Sequence, residues 1–579
     1  MCYLTSQQVD DDEFGNVNVV SLWNVHDGSM GVRHKFYFCG RAHWHQSVRR
    51  RASCAPHAAA ECSAMALWAV AALLLLLSLA LLLKALHLFV LGPLHIQKCL
   101  RAQGISGPAY CSLFGNLREF SALTAAARAS PLPHITHDIV SRVLPHYSLW
   151  SEQYGKPFVF WLGWKSRLTV DDPEVCKEVL SNKPTHYPKP NIPIQLQDLL
   201  AKGLITLEGE KWVQHRKIVS PAFFPEKLKG MVPTIANLAG VMLEKWKLEF
   251  ENSPCKEINA HEEFQALTAD IIAHIAFGSS YAEGKEVFLL QYKQQALISK
   301  LAFSFYFPGS RFLPTAMNRY RWTLRRRIKS ILEGIIKKRS SLPSEAYGSD
   351  LLGLMLSSLK QEVQGSRKNL TMSLEEIIDE CKTFYFAGHE TTSSLLTWTV
   401  MLLANNSEWQ ERAREEVLSL FGSRHPDADS LNHLKIIGMI LHESLRLYPP
   451  AVNLFRQATQ DQKLGRISIP KGTGLLIPIL PLHVDPELWG ADALEFNPLR
   501  FANGVLQACK QPSAYMPFGS GPRICVGQNF SMMEAKTVLC MILQKFRFRL
   551  SPGYRHAPMI VLALQPQHGM QILLEPVVV

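Results

Sequence analysis

Ten residues near the C-terminus, Phe518-Gly519-Ser520-Gly521-Pro522-Arg523-Ile524-Cys525-Val526-Gly527, limit what this chain can become more than any other stretch, because each fixed position serves the cysteine. Gly521 and Gly527 can take positive φ, or let backbone approach a flat partner where a Cβ would obstruct it. Phe518 can shield the sulfur from water. Arg523, two residues before the cysteine, can pair bidentately with a carboxylate. The run Gln528–Lys536 that follows has no proline or glycine and reads as a helix, so Cys525 sits near a helix N-terminus. The unpaired N–H groups and positive dipole end there stabilise an anion. The stretch therefore reads as a loop that presents a thiolate.

Residue by residue it resembles the haem-binding signature of the cytochrome P450 family, and the resemblance runs from about Gln103 to the C-terminus. It implies that Cys525 is the axial ligand of the iron of haem b, with Phe518, Gly519, Arg523 and Gly527 around it. A thiolate ligand pushes electron density onto iron and favours O–O cleavage. Trp212 and Arg216 are spaced i, i+4 and so share a helix face. They resemble the family pair that meets a haem propionate, and Arg456, after the Pro449-Pro450 turn, resembles another propionate contact.

Ser373-Leu374-Glu375-Glu376 is a capping box that opens a long helical pattern. No proline interrupts it before Asn405, which allows roughly 45 Å of helix and a spine through the domain. Midway stands Ala387-Gly388-His389-Glu390-Thr391-Thr392. Small residues at 387 and 388 let something flat approach, although Gly388 costs the helix roughly 1 kcal/mol. The Thr391 hydroxyl can bond backwards and open the ladder. By resemblance to the family motif, Thr391 orients dioxygen and its waters while Glu390 feeds protons. Ser407-Glu408-Trp409-Gln410 reads as a second capping box. Glu443 and Arg446, at i, i+3, sit among Leu445, Leu447 and Tyr448-Pro449-Pro450, which implies a buried pair. Arg500 resembles the residue that joins this pair in the family, and the trio is assigned to fold maintenance and haem retention. Leu499 departs from the glutamate common beside it. His483 is a less plausible iron ligand than Cys525, since no loop surrounds it.

These motifs, in the family's order, imply a mainly α fold with a small β region, the cytochrome P450 fold, preceded by a single N-terminal transmembrane helix. Phe158–Gly163 and Leu168–Val170 read as strands. The chain of 579 residues, 47% hydrophobic and 19% charged, is globular with a large core. Residues 225–370 read as helix-rich, with solvated basic runs at Arg325–Arg327 and Lys337–Arg339, and Lys360–Asn369 as a polar loop. From Ser63 to Leu83 no charge occurs over 21 residues, long enough to span a membrane. Lys84, Lys98 and Arg101 beyond it favour a cytoplasmic C-terminal side, against Arg49–Arg51 upstream. Residues 1–62 read as an irregular extension of the coding region, with Met65 as the start. In it the acidic run Asp10–Glu13 stands out, and Cys39, His43, His45 and Cys54 have no metal-site spacing. The divisions expected are 1–62 extension, 63–83 anchor, 84–110 linker with a hinge at Gln103–Tyr110, and 111–579 catalytic domain. Twelve scattered cysteines suggest no disulfide framework. The net charge of +12, all of it after residue 64, suits an acidic partner or an anionic membrane surface.

Gln103-Gly104-Ile105-Ser106-Gly107-Pro108-Ala109-Tyr110 and the stretch from His137 to Lys156 resemble the plant 72 clan. The implied protein is a monooxygenase of the endoplasmic reticulum membrane, single-pass, its catalytic domain cytoplasmic. It inserts one atom of dioxygen into a C–H bond, with electrons from NADPH through a separate NADPH-cytochrome P450 reductase, since no Rossmann fingerprint occurs in the chain. Basic residues near Lys211, Arg216 and Lys217 are the expected docking surface. Phe384, Ala387, Ala451, Val452, Leu454 and the Gln567-His568 turn would line an apolar, membrane-partitioning substrate, of plant hormone, fatty acid or terpenoid type. The alternatives are a haem-thiolate isomerase or dehydratase, against which the Glu390-Thr391 pair argues, and a membrane haem or ligand carrier. Nothing in the sequence indicates nucleic-acid binding.

Overall fold

The computed structural model describes residues 55–577, apart from 183–184, 192–193, 249–254, 279–280, 302–308, 344–345 and 364–370. The acidic run at 10–13 and the Cys39, His43, His45 and Cys54 group lie outside the described residues. Contacts divide the chain into two units, Met1–Leu82 and Leu83–Val579. Helix α1 (Ala55–Leu86) starts in the first. Every side chain from Met65 to Lys84 is exposed. The helical run Met65–Arg101 reaches a mean hydropathy of 2.8 in a window of which 0% is buried, so length and composition suffice to cross a membrane.

Within the second unit, α2 (Gly92–Arg101) buries Leu100 against a sheet. Gln103 exchanges side-chain hydrogen bonds with the backbone of Ser468, at 2.9 and 2.7 Å. The Tyr110 hydroxyl donates to Phe89 O at 2.5 Å, and Phe89 meets Trp164 edge-on at 4.8 Å. The glycine- and proline-rich segment after α2 is irregular, and these contacts hold it on the domain.

The main sheet orders β1 (Val159–Leu162), β2 (Lys165–Thr169), β7 (Gly474–Pro478) and β4 (Asn453–Gln457). β1 and β2 form a hairpin in which Val159 faces Leu168, and β7 runs parallel to β2 and antiparallel to β4. All five residues of β7 are buried, as a central strand covered on both faces requires. A second sheet orders β3 (Lys256–Asn259), β11 (Gln571–Pro576) and β8 (Phe546–Leu550), and β5 (Gln462–Leu464) with β6 (Ile467–Ile469) and β9 (Pro558–Ile560) with β10 (Leu564–Pro566) are hairpins.

Around the sheets stand the helices that position the site: α3 (Ile194–Leu200), α4 (Gly209–Val219), α5 (Ala260–Phe277), α6 (Tyr281–Leu301), α7 (Leu351–Val363), α8 (Leu374–Asn405), α9 (Ser407–Phe421), α10 (Lys435–Leu447) and α11 (Gln528–Lys545). The capping box opens α8: Glu376 Oε2 accepts from Ser373 N–H at 2.8 Å, and Ser373 Oγ accepts from Glu376 N–H at 3.3 Å. The second one does not form. Asn406, not Ser407, is the N-cap of α9, and Gln410 turns inward to bond Leu403 O and Phe548 O at 3.2 and 2.8 Å. The polar stretch from Lys360 is helical to Val363, where its good helix formers continue α7. Nor is Arg339 a solvated charge: it donates to Tyr347 O at 2.6 Å and Phe277 O at 2.9 Å and pairs with Asp350 at 3.0 Å.

Gly388 serves packing, not a flat partner. A Cβ there would lie 2.7 Å from Ile272 Cγ1 of α5, so the glycine is what lets α5 and α8 touch. Gly388→Ala is expected to cost about 1–3 kcal/mol of overpacking, of which the alanine's helix preference returns roughly 1 kcal/mol. In an Ile272→Ala background, which lacks both Cγ1 and Cδ1, Gly388→Ala should cost little further in urea denaturation; equal midpoints for parent and Gly388→Ala would contradict this account.

Candidate functional site

In the cysteine loop, Gly519 and Gly521 take φ of +74° and +72°. At Gly521 a Cβ would also come within 2.3 Å of Leu180 O, so only glycine fits. Gly527 does not need the left-handed region: its φ is −93°, and it is the N-cap of α11. Cys525 N–H donates to Phe518 O at 3.0 Å, closing the loop. The Cys525 side chain is exposed in the protein alone, yet protein surrounds it closely enough to push its thiol pKa up. It lies in a recess. The Gly527 N–H, Arg216 and Lys189 pull the pKa back.

Cations gather beside this loop. Arg523 pairs with Glu208 at 2.5 Å, donates to Leu207 O at 2.9 Å and lies over the Trp212 ring at 4.4 Å. Its Nη1 is buried with no partner. Arg216 reaches Ile524 O at 2.9 Å. Arg456 is buried, its pKa held down at about 10 by burial first and by the Arg523 charge next. Lys189, which the sequence reading missed, donates to Ile205 O at 2.8 Å, and burial with the charges of Arg456 and Arg523 lowers it to about 7. Its signal was faint, a single lysine between prolines. Three cations thus share one carboxylate, Glu208, whose Oε1 also accepts from Lys189 N–H at 3.0 Å. The deficit of negative charge calls for an anion.

Two buried pairs hold these groups in place. On α4, between Trp212 and Arg216, His215 Nδ1 lies 2.6 Å from Glu380 Oε1 of α8, both fully buried. Glu380 Oε2 accepts from Leu204 N–H at 3.1 Å, and Thr383 donates to Leu200 O at 2.9 Å, so α8 grips the chain that leads into α4. Elsewhere Arg446 spends all five of its donors: two on Glu443 at 2.7 Å each, and three on His483 O, Ala493 O and Glu495 O at 2.9, 2.6 and 3.0 Å. Arg500 joins less closely, its Nε 3.5 Å from Glu443 Oε1 and unpartnered, while Nη1 donates to Trp489 O at 3.0 Å. His483 is wholly buried, and its Nε2 accepts from Met516 N–H at 3.1 Å, which carries the Arg446 network into the cysteine loop. Leu499 is exposed, so its departure from the family pattern touches none of these bonds.

Between Ile377 and Leu403 of α8 only Thr391 is exposed. Its hydroxyl donates to Ala387 O at 2.8 Å, while the helix continues unbroken. The next residue ties this turn to α11, for Thr392 Oγ1 lies 3.0 Å from Ser531 Oγ. Phe223 forms a second link, stacking on Phe384 of α8 at 5.8 Å and lying 3.8 Å from the position a Gly527 Cβ would take. Phe384 is therefore packed in the core, as is Val452, while Ala451 is half-buried. Glu390 is 3% exposed and accepts from Gln295 of α6 at 3.0 Å. Gln567 turns from the site to Arg142 and Arg128 O, at 2.7 and 3.1 Å. Leu562, in the turn between β9 and β10, packs in an apolar cluster with Leu199, Ile298 and Phe386.

An exposed thiol in a protein recess, an orphaned guanidinium nitrogen and surplus cations fit a flat dianion with an open axial position, and this is the donor set of a haem-thiolate enzyme. The Cytochrome P450 family model matches residues 140–573, and the chain belongs to that family of monooxygenases, which use haem and dioxygen. It is 46% identical over 484 residues to Cytochrome P450 CYP72A616 of Paris polyphylla, covering 83% of this chain and 93% of the relative. With Cytochrome P450 709B1 of Arabidopsis thaliana the identity is 44% over 502 residues, with 85% and 95% covered, and with Secologanin synthase 2 of Catharanthus roseus 42% over 485, with 83% and 92%. The solved structure of retinoic acid bound cyanobacterial CYP120A1 aligns with a TM-score of 0.65 at 27% identity, over 74% of this chain and 93% of that one. The mainly helical fold with small sheets, behind one N-terminal apolar helix, is the P450 fold expected from the motifs.

Arg446→Ala would leave Glu443 buried and unpaired, a loss of about 3–5 kcal/mol. The expected result is protein without the native absorption spectrum and a large fall in denaturation midpoint; Arg446→Lys, short of two donors, should not restore either.

Proposed function

We propose that this monooxygenase inserts one oxygen atom of dioxygen into a C–H bond of a small apolar substrate of plant hormone, fatty acid or terpenoid type, with electrons from NADPH through a separate reductase. The observation that carries the reading is Thr391, the one exposed residue in a buried stretch of α8, pinned through Thr392 and Ser531 to the helix that follows Cys525.

Haem, when bound, supplies the iron at which dioxygen is reduced. Cys525 would ligate it, with Phe518, Gly519 and Gly527 shaping the loop. Arg523 through its unpartnered Nη1, Arg456, Arg216, Trp212 and Lys189 would meet the two propionates and supply the charge that Glu208 leaves unbalanced. Glu443, Arg446 and Arg500 keep the loop in register. Thr391 has its own proton committed to Ala387 O, so its lone pairs are what face the recess. It holds a water there and passes on a proton only when one arrives, and Glu390 is the neighbouring acid that supplies it.

The apolar cluster of Leu199, Ile298, Phe386 and Leu562 supports an apolar substrate, with Ala387 beside Thr391 and Ala451 and Val452 nearer the sheet as further lining. One similar structure holds retinoic acid. The exposed apolar helix supports a single-pass anchor over 63–83 in the endoplasmic reticulum membrane, preceded by an extension (1–62), followed by a linker (84–110) and a cytoplasmic catalytic domain (111–579). For reductase docking, the basic surface narrows: Arg216 points into the cysteine loop, Lys211 is exposed but paired with Glu376 at 2.7 Å, and Lys217 is exposed.

Reduced protein under carbon monoxide should show the strongly red-shifted Soret band of thiolate ligation, and Cys525→Ser should lose it; a band unchanged by the substitution would remove the assignment. Thr391→Ala should keep that band yet release several-fold more peroxide per dioxygen consumed, measured with NADPH and a plant reductase and no organic substrate. An unchanged peroxide fraction would remove Thr391 from the mechanism.

A further inference from the structure

We propose that His389 is the proton donor to Glu390, the outer end of the relay that finishes at Thr391. This rests on the reading of Glu390 and Thr391 above. His389 Nδ1 donates to Tyr385 O at 2.6 Å, which leaves Nε2 as the nitrogen that gains and loses a proton. That nitrogen is 3.6 Å from Glu390 Oε2, an oxygen buried without a hydrogen-bond partner. The imidazole is 12% exposed and the carboxylate 3%, so His389 is the more accessible of the two. Such a contact is long for direct transfer at rest and closes with a small rotation, as catalytic hydrogen bonds commonly do on ligand binding.

The surroundings favour this partner. Phe288 of α6 meets the imidazole edge-on at 5.0 Å and Phe386 at 6.2 Å, while from α5 Thr268 donates to His389 O at 3.1 Å. Asp270 of α5 is engaged with His274 at 2.8 Å and Glu286 of α6 with Arg327 at 2.6 Å, and on α8 itself Lys382 pairs with Asp379 at 3.5 Å. Among the described residues Glu390 is the one whose charge acts on His389, raising a pKa that burial lowers below the usual imidazole value. Among the described residues His389 is the one basic side chain within salt-bridge distance of Glu390. The transfer breaks Nε2–H of the imidazolium and forms Oε2–H, giving neutral imidazole and a carboxylic acid. Water at the exposed edge then reprotonates Nε2, and no electrons move.

His389→Gln keeps the size and a hydrogen-bonding amide and removes the titratable nitrogen. The assay is the full-length holoprotein in vesicles with a plant reductase and NADPH, dioxygen being the only oxidant and no organic substrate present. In the parent, the peroxide released per dioxygen consumed should rise with pH through a midpoint below about 6.5, the ordinary histidine value, because the donor is then lost. His389→Gln should give a fraction several-fold higher at the acid end and flat in pH, with the parent's carbon monoxide band. Difference infrared spectra of the resting protein give a second readout: the carboxylic C=O band that Glu390→Gln abolishes should titrate at higher pH in His389→Gln, which lacks the neighbouring cation. Peroxide and infrared titrations that superimpose on the parent's would overturn the proposal. If Thr391→Ala raises the peroxide fraction and His389→Gln does not, this inference alone fails; if neither does, the relay reading fails with it.

Discussion

The Glu443–Arg446 pair is the interaction from which the rest of the site is hung. Both side chains are fully buried, and removing two charges from water costs several kcal/mol each before any attraction is counted. What offsets the cost is saturation. Every Arg446 donor is used, and Glu443 Oε1 also accepts from Asn497 N–H at 3.0 Å. A network so complete contributes less to stability than to register, because the carbonyls of residues 483, 493 and 495 must all arrive together. His483 extends the register to Met516, and Met516 O accepts from Gly519 N–H at 2.9 Å, at the start of the cysteine loop.

A second buried pair does the same for the opposite wall. His215–Glu380 fixes α4 against α8, so that Trp212 and Arg216 meet Arg523 and Ile524 from one side while the Thr391 turn is held by Ser531. The acidic first turns of α8 serve several purposes together. Glu375 and Glu376 favour the positive helix end, Glu376 closes the capping box and binds Lys211, and Glu380 holds His215 and Leu204. One stretch of sequence thus terminates a helix and clamps its neighbour.

How much of this was legible depended on whether a residue acts inside its own motif or across the fold. Cys525, Arg523, Thr391 and the Glu443–Arg446 spacing carry their meaning locally, as do the capping box at Ser373 and the two strands about Gly163. Lys189 and His215 act only once distant segments meet, and nothing within a few residues of either announces it. Gly388 misled because a glycine in a helix looks alike whether a ligand or a neighbouring helix needs the room, and only Ile272 decides. The second capping box failed because the helix begins one residue earlier than the box requires, with Asn406 at the N-cap and its amide turned to Leu402 O, and because Gln410 had better partners in the core.

The same bookkeeping of donors separates scaffold from site. Arg446 and Arg523 have the same side chain and both lie within the protein, yet the first has no N–H left to give and the second keeps Nη1 unpartnered beside an excess of positive charge. A buried donor without an acceptor is a cost of about 1–3 kcal/mol, and a fold tolerates it where something bound supplies the acceptor. Glu390 Oε2 is the matching case for an acceptor, buried without a donor. Arg523 Nη1 and Glu390 Oε2 are two of several incomplete buried groups, Arg500 Nε and Trp161 Nε1 among the others, whereas Arg446 and Glu380 have partners for every donor or oxygen. A charge-conserving change at Arg446 therefore leaves buried acceptors without donors, whereas Thr391 and His389 each spend one donor on a carbonyl of their own helix.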